Sequence, residues 1–318
     1  MSFTKRLLTA QFTLGQGVFG QDGQNQLNLS NLRMSVRIDR AGGMAMAQLS
    51  LDVWGMRLSD MNTLSTLGLV ATTLRKNTVL VQAGDEGGMT TVFSGTIFDA
   101  YVDLSCQPDV RFHVNASSGL LDAVAPATPS SWKGAVNVTT ILSTLAKKMT
   151  SPMTGKVGVP FENNGVSVVL HDQYLHGSLR DQALQAVENA GIYWNGLEDG
   201  TLAIWPPGKS RNGSVPLVSA TTGLQSYPAY QSLGISFTTL FNPAIRFGGQ
   251  VNVQSSQLLI KQNVIAKDGN ITSAVNTSGS GIWVINMLNH RLETLLPHGD
   301  WFSDAQASPV GYIVAPSP

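Results

Sequence analysis

Cysteine is nearly missing. Cys106 is the one cysteine in 318 residues, which excludes an internal disulfide and any zinc site built on thiolates. Charge is scarce too. Asp, Glu, Lys and Arg make up 13% of the chain, with acids and bases balanced at 20 each. The balance holds locally, with nine bases and ten acids in residues 1–125, seven and six in 126–215, and four and four in 216–318. A free nucleic-acid binder carries a basic excess, so that class is disfavoured. Near-zero net charge suits a subunit covered by partners better than a freely diffusing one. No apolar run approaches the ~20 residues of a membrane-spanning helix. The few apolar residues after Lys5-Arg6 are not expected to act as a signal peptide.

What is present is periodicity. Met34, Val36 and Ile38 alternate with Arg33, Ser35, Arg37 and Asp39, and Ala45–Val53 alternates likewise, as strands with one buried face do. Arg40-Ala41-Gly42-Gly43 between these runs predicts a hairpin. A short helix is expected at Ser59–Leu67, then strands at Thr78–Gln82, Thr91–Asp103 and Asp109–Asn115. Ala125–Ser131 has linker composition. Beyond it, Asn137 is placed to cap a helix with Val138, Ile141, Leu142, Leu145 and Met149 on one face. A strand is expected at Val166–Leu170. Ser178, Asp181 and Gly191 start and stop a second helix, Leu179–Ala190. Ile192–Asn195 and Leu202–Trp205 form a hairpin, and Pro206–Ser214 is a second linker. The remainder reads as β, with strands at Leu233–Leu240, Gln250–Gln254, Gln257–Ala266, Gly281–Thr294 and Trp301–Ala307. The fold class is therefore mainly β with a small helix–hairpin α/β insert. The expected domains are 1–125 (β), 126–215 (α/β) and 216–318 (β).

Candidate chemistry resolves into loops and turns. Gly15-Gln16-Gly17-Val18-Phe19-Gly20 matches Gly-x-Gly-x-x-Gly, but dinucleotide binding needs a helix to follow, and the polar run Gln21–Gln26 supplies none. His171, Asp172 and His176 lack a defined metal-ligand spacing. His290 and Glu293 fall on opposite faces of a strand. Asp85-Glu86 and Glu198-Asp199 could form a glycosidase carboxylate pair, yet each sits in a glycine-flanked turn, where carboxylates are solvated. Cys106 reads as a small hydrophobe rather than a nucleophile. No catalytic, cofactor-binding or metal residue is expected, and the chain is read as a non-enzyme.

Three stretches carry a family resemblance. Gly281–Thr294 followed by Gly299–Ser303 resembles the closing hairpin of baseplate hub proteins of contractile-tailed bacteriophages. Phe241–Val251 resembles the lead-in to that hairpin, and Leu179–Ala190 followed by Gly191–Trp194 resembles the family's α/β insert. The same order of domains is similar to the N-terminal part of the type VI secretion spike protein. The resemblance implies two tube-like antiparallel β-barrels per subunit and a homotrimer forming a ring of six barrels. Such a ring adapts a six-fold tail tube to a three-fold spike and lets DNA pass. Partners would be the tail tube protein, the spike protein and other baseplate subunits, in a virion assembled in the host bacterial cytoplasm. Gly15–Gly23 would be a flexible tip on the first barrel. No spike or enzymatic extension is expected, the chain stopping at Pro318. The alternatives are a cell-wall hydrolase using Asp85, Glu86, Glu198 or Asp199, and a type VI secretion spike component.

Overall fold

A computed structural model describes residues 5–20, 23–42, 45–65, 76–105, 107–151, 156–197, 199–231, 234–256, 259–260 and 280–312. The first β region holds β1 (Leu7–Thr13), β2 (Gln26–Ser30), β3 (Met34–Asp39), β4 (Gln48–Trp54), helix α1 (Leu58–Leu64), β5 (Thr78–Asp85), β6 (Gly88–Asp103) and β7 (Arg111–Ser117). The middle region holds α2 (Leu120–Val124), β8 (Ser130–Asn137), α3 (Val138–Lys148), β9 (Phe161–Asn163), β10 (Val169–Leu175), α4 (Leu179–Ala190), β11 (Tyr193–Gly196) and β12 (Leu202–Trp205). The second β region holds β13 (Leu217–Ser219), β14 (Ala229–Gln231), β15 (Gly234–Leu240), β16 (Gln250–Gln254), β17 (Leu259–Ile260), β18 (Gly281–Thr294) and β19 (Trp301–Pro309). The fold is mainly β with an α/β insert, as the sequence indicates.

The two β regions are not two closed barrels. Their described strands join into one 14-stranded sheet, in the order β17-β14-β15-β19-β18-β3-β4-β7-β6-β5-β1-β2, with β16 and β13 branching from β18. The cause is the length of β18. Its first residues pair with β16, Val284 facing Gln250, and its last pair with β3, His290 facing Ile38 and Thr294 facing Met34. A bulge between Ile285 and Met287 lies where the partner changes, which is how sheets commonly re-aim a strand. β19 follows along the other edge. The alternation continues across the join, with Leu288, His290 and Leu292 turned inward.

Three cores follow. In the first β region, Leu8, Ala10 and Phe12 of β1 share one cluster with Leu49, Leu51 and Val53 of β4. These strands are far apart in the sheet order, so the sheet must curl over its own apolar face. Leu292 and Trp301 enter the same cluster from β18 and β19. The second β region closes around Phe237, Val251, Ile285 and Leu288. The middle region packs α3 on α4 over β11 and β12 through Ile141, Leu142, Leu145, Ala183, Ala186, Trp194 and Leu202. Local signals set these helices. Asn137 accepts the Thr139 N–H, Ser178 and Asp181 form a capping box, and Gly191 ends α4 at φ 62°.

Three local expectations shift. Helix α1 begins at Leu58, and Arg57 at its N-cap supplies no side-chain bond. The strand expected at Val166–Leu170 runs instead over Val169–Leu175. Asn163 closes a loop on both backbone groups of Val166, and a bulge with Asp172 at φ 48° breaks the period of two in β10. The expected linker at Ala125–Ser131 ends early, because Ser130 already pairs with Leu175. Most of the strand expected at Gln257–Ala266 lies outside the described residues.

Asp122, only 4% exposed in α2, accepts the Thr150 N–H with both carboxylate oxygens. No cation pairs with it among the described residues. Burial therefore pushes its pKa up from 3.8 to about 6, the Thr150 bond offsetting part of the rise. A raised carboxyl favours the native state fully below the unfolded pKa, and that contribution is lost as pH rises through about 6. Asp122→Asn is expected to raise stability at neutral pH by about 2 kcal/mol and to leave it unchanged near pH 4. Urea unfolding at both pH values checks this, and equal effects at both would refute it.

Candidate functional site

The described residues meet in one place where all three regions contribute side chains. A cavity of about 200 Å³ is lined by Arg40 and Val92 of the first region, Glu162, Asn195, Asp199 and Arg211 of the middle, and Phe241, Phe247 and His290 of the second. Its organising residue is Arg211. One terminal nitrogen holds Asp199 at 2.9 Å and the other holds Glu162 at 2.8 Å, and the side chain is 3% exposed. Its backbone N–H donates to Gly248 at 2.7 Å. Burial alone would lower the guanidinium's pKa, but Asp199 and Glu162 outweigh it and raise the value. Burial likewise tends to raise Glu162, and the Arg211 bond and charge outweigh it, so Glu162 lies below its usual range.

The same joint is packed tightly. Trp205 meets Phe247 edge-on at 6.0 Å and Tyr193 at 6.5 Å. Arg40 donates its guanidinium to the Val92 carbonyl and its backbone N–H to Asn289 Oδ1. His290 is fully buried with Nδ1 on Ser303 Oγ at 2.8 Å. Burial, helped by the Arg40 charge, holds its pKa well below the ordinary histidine value.

The residues singled out in the sequence go elsewhere or take structural parts. Gly15–Gly20 lies in the hairpin between antiparallel β1 and β2, which is no setting for a pyrophosphate. Within it, Phe19 is buried in the first core and its N–H donates to the Gln24 carbonyl. Asp85 accepts the Gly87 N–H within its own turn, and neither it nor Glu86 lines the cavity that takes Asp199. Glu198 and Cys106 lie outside the described residues. Asp199 is engaged by Arg211, Asn195 and the Thr201 N–H. A glycosidase acid needs a raised pKa, and Glu162, the carboxylate facing Asp199 across Arg211, is lowered instead. His171 and His176 are exposed, while Asp172 accepts the Gly134 N–H at 2.7 Å. Glu293 bonds Ser35 and Asp300 on the face opposite His290. Among the described residues no group of three His, Cys, Asp or Glu is placed to hold a metal ion. No described helix is long and apolar enough to cross a membrane.

Arg211 and Glu162 were not legible as partners. They lie 49 residues apart, and Arg211 sits in a stretch that reads as a Pro-Gly-Ser linker.

A second feature is the outer face of the sheet. Across β19, β18, β3, β4, β7 and β6 the outward side chains form a polar ladder. Asp39, Asp52, Asp99, Asp103, Glu293 and Asp304 stand against Arg37, Arg111 and Arg291. Arg111 joins Asp52 and Asp103, and Arg291 joins Asp300 and Asp304. His113 approaches Asp52 at 2.6 Å. Hydrogen bonds from Ser105 and Arg111 hold Asp103 down at about 2. The face is acid-leaning over six consecutive strands.

The family model described as "Baseplate hub gp41" matches residues 7–263. No curated protein sequence matches the chain. Among solved structures, a tail protein from Neisseria meningitidis MC58 is similar over 96% of this chain and 98% of its own, with a TM-score of 0.55 at 11% identity. The 43 kDa tail protein of prophage MuSo2 from Shewanella oneidensis is similar over 98% and 99%, with a TM-score of 0.53 at 10% identity. The E. coli c3393 protein, a component of the type VI secretion system described as similar to T4 bacteriophage tail proteins gp27 and gp5, is similar over 90% and 77%, with a TM-score of 0.54 at 11% identity.

Proposed function

The chain belongs to the baseplate hub gp41 family, and on that premise we propose that it is a non-enzymatic subunit of a phage tail hub. Three copies form a ring between a six-fold tail tube and a three-fold spike, in contact with other baseplate subunits, and DNA passes through the ring during ejection. The subunit is a virion component that assembles in the host cytoplasm. Residues 1–125 and 216–318 supply the ring, and residues 126–215 form the α/β unit. The observation that supports this reading is the single sheet running through both β regions with a polar, acid-leaning outer face. A channel for a polyanion must not hold it. Lys and Arg along the wall would bind phosphates with counterion release and retain the DNA, whereas a face with six carboxylates against three arginines lets it slide.

Electron microscopy of the purified assembly is expected to show three copies around a channel lined by this face. Two or six copies would overturn the ring. Asp39→Lys with Asp304→Lys is expected to give DNA retention that weakens with added salt, while the unaltered ring retains none. Retention by the unaltered ring would remove the channel assignment. Cell-wall hydrolysis by the purified protein, lost in Asp199→Asn, would make it an enzyme instead.

A further inference from the structure

The two β regions are built on one plan. β3, β4, β7, β6 and β5 lie side by side in the first, and β14, β15, β19, β18 and β16 in the second, every neighbouring pair antiparallel. The registers agree as well. β6 is bulged between Ile97 and Asp99, and β18 between Ile285 and Met287. Across the strands from Ile97 stand Ala116, Leu49 and Ile38; from Ile285 stand Ala307, Ile235 and Tyr230. On the other edge, the Ile97 N–H donates to the Asn77 carbonyl just before β5, and the Ile285 N–H to the Gly249 carbonyl just before β16. Counted from the bulges, Val102 thus corresponds to His290 and Leu104 to Leu292, while Tyr230 of β14 corresponds to Ile38 of β3.

This repeat makes one contact inside the chain a guide to another. Past its bulge, β18 leaves β16 and pairs with the first strand of the other region, His290 facing Ile38 and Leu292 facing Val36. Leu292 and Ile38 are both 0% exposed there. Past its own bulge, β6 leaves β5, and no described strand pairs with Val102 or Asp103 on that edge. Leu104 is 54% exposed and Tyr230 43%. The chain fills the contact once, second region on first, and shows apolar side chains at both halves of the reciprocal one. Six strands stand between β14 and β6 in the sheet, and the two do not pair within the chain. The outer edge of β14 carries only the two residues of β17, running parallel, whereas the filled contact is antiparallel.

We propose that a second copy of this chain completes the reciprocal contact: the end of β6, Val102–Leu104, pairs antiparallel with β14 of the next copy, Val102 opposite Tyr230, and displaces β17. The inference rests on the ring proposed above and names the surface by which it closes. The two halves of the contact differ, so it is heterologous, and its repetition from copy to copy closes a ring when the rotation allows. Leu104 then serves the joint between copies as Leu292 serves the joint within one.

Val102→Cys with Tyr230→Cys, in a chain that also carries Cys106→Ser, is oxidised and run on a denaturing gel without reductant. Facing residues of antiparallel strands stand about 4.5–5.5 Å apart at Cα, within disulfide reach. A ladder of linked chains ending at three is expected, and no ladder with either new cysteine alone. Native mass spectrometry counts the copies of the unaltered chain alongside. Leu104→Asp, a change at an exposed position, is expected to weaken assembly about tenfold or more. Val157→Asp, equally exposed but in the α/β region, is expected to leave assembly unchanged. Three copies without the 102–230 link, or assembly undiminished in Leu104→Asp, overturns this contact and leaves the ring standing. A ladder that stops at two marks a two-fold interface; that result, or a chain that stays single, overturns the contact and the ring together. A link formed within one chain overturns the assignment to a second copy.

Discussion

Arg211→Met is expected to destabilise the protein by about 3 kcal/mol at neutral pH. The basis is asymmetry. Removing one member of a buried ion cluster leaves the others charged and desolvated, which costs roughly 3–5 kcal/mol. Glu162 and Asp199 keep 31% and 24% of their side-chain surface, so water reaches them and the lower end applies. The pH dependence gives the test its direction. In the native protein Glu162 has a lowered pKa. Its contribution is present above the unfolded value and is lost as pH falls through the folded one. Without Arg211, burial and the neighbouring Asp199, which raise Glu162, are opposed only by its hydrogen bond with Asn164. In the variant, its effect becomes a penalty that disappears in acid. The gap between native and variant stability, measured by urea unfolding, is therefore expected to narrow as pH falls toward 4–5. Adding Glu162→Gln and Asp199→Asn to Arg211→Met is expected to recover part of the loss at neutral pH. A single variant costing under about 1 kcal/mol, or a gap that widens in acid, would show that the cluster is not what closes the joint.

The sequence carried what is local. Period-two alternation placed β3, β4, β18 and β19 and put His290 and Glu293 on opposite faces, because side-chain direction in a strand depends only on parity. Caps fixed α3 and α4 for the same reason, with Asn137, Ser178 and Gly191 acting within one turn of themselves. What pairs distant residues was hidden. The closing hairpin read as part of a separate barrel, yet the second half of β18 bonds to β3, and no local pattern in either strand names the other. Phe19 looked like part of a flexible glycine loop, and only the fold shows the first core reaching up to take it. Arg211 and Asp122 were invisible as buried charges because nothing nearby in sequence marks them, whereas burial is a property of the whole packing. The candidate site is thus the least legible part, being made wherever three regions happen to converge.

Gly248→Ala is expected to cost about 4 kcal/mol. Two penalties combine. Gly248 sits at φ +73°, where an L side chain pays roughly 1–2 kcal/mol against its own backbone. The new Cβ would then stand 2.6 Å from Trp205 Cζ2 and 2.7 Å from Cη2, far inside contact distance. The ring has little room to retreat, being 3% exposed and fixed by Phe247 and Tyr193; forcing a methyl into packed surroundings adds roughly 1–3 kcal/mol. Nor can the backbone move freely, since the Gly248 N–H donates to Ile285 and its carbonyl accepts from Arg211. Gly191 supplies the control. It lies at φ +62° with nothing within 4 Å of an added Cβ, so Gly191→Ala isolates the backbone penalty at about 1 kcal/mol. The difference between the two variants in urea unfolding measures the clash with Trp205. Near-UV circular dichroism is expected to change for Gly248→Ala and not for Gly191→Ala, because one displaces a buried indole and the other does not. Equal losses in the two would mean that the ring yields easily and that the joint is looser than its packing implies.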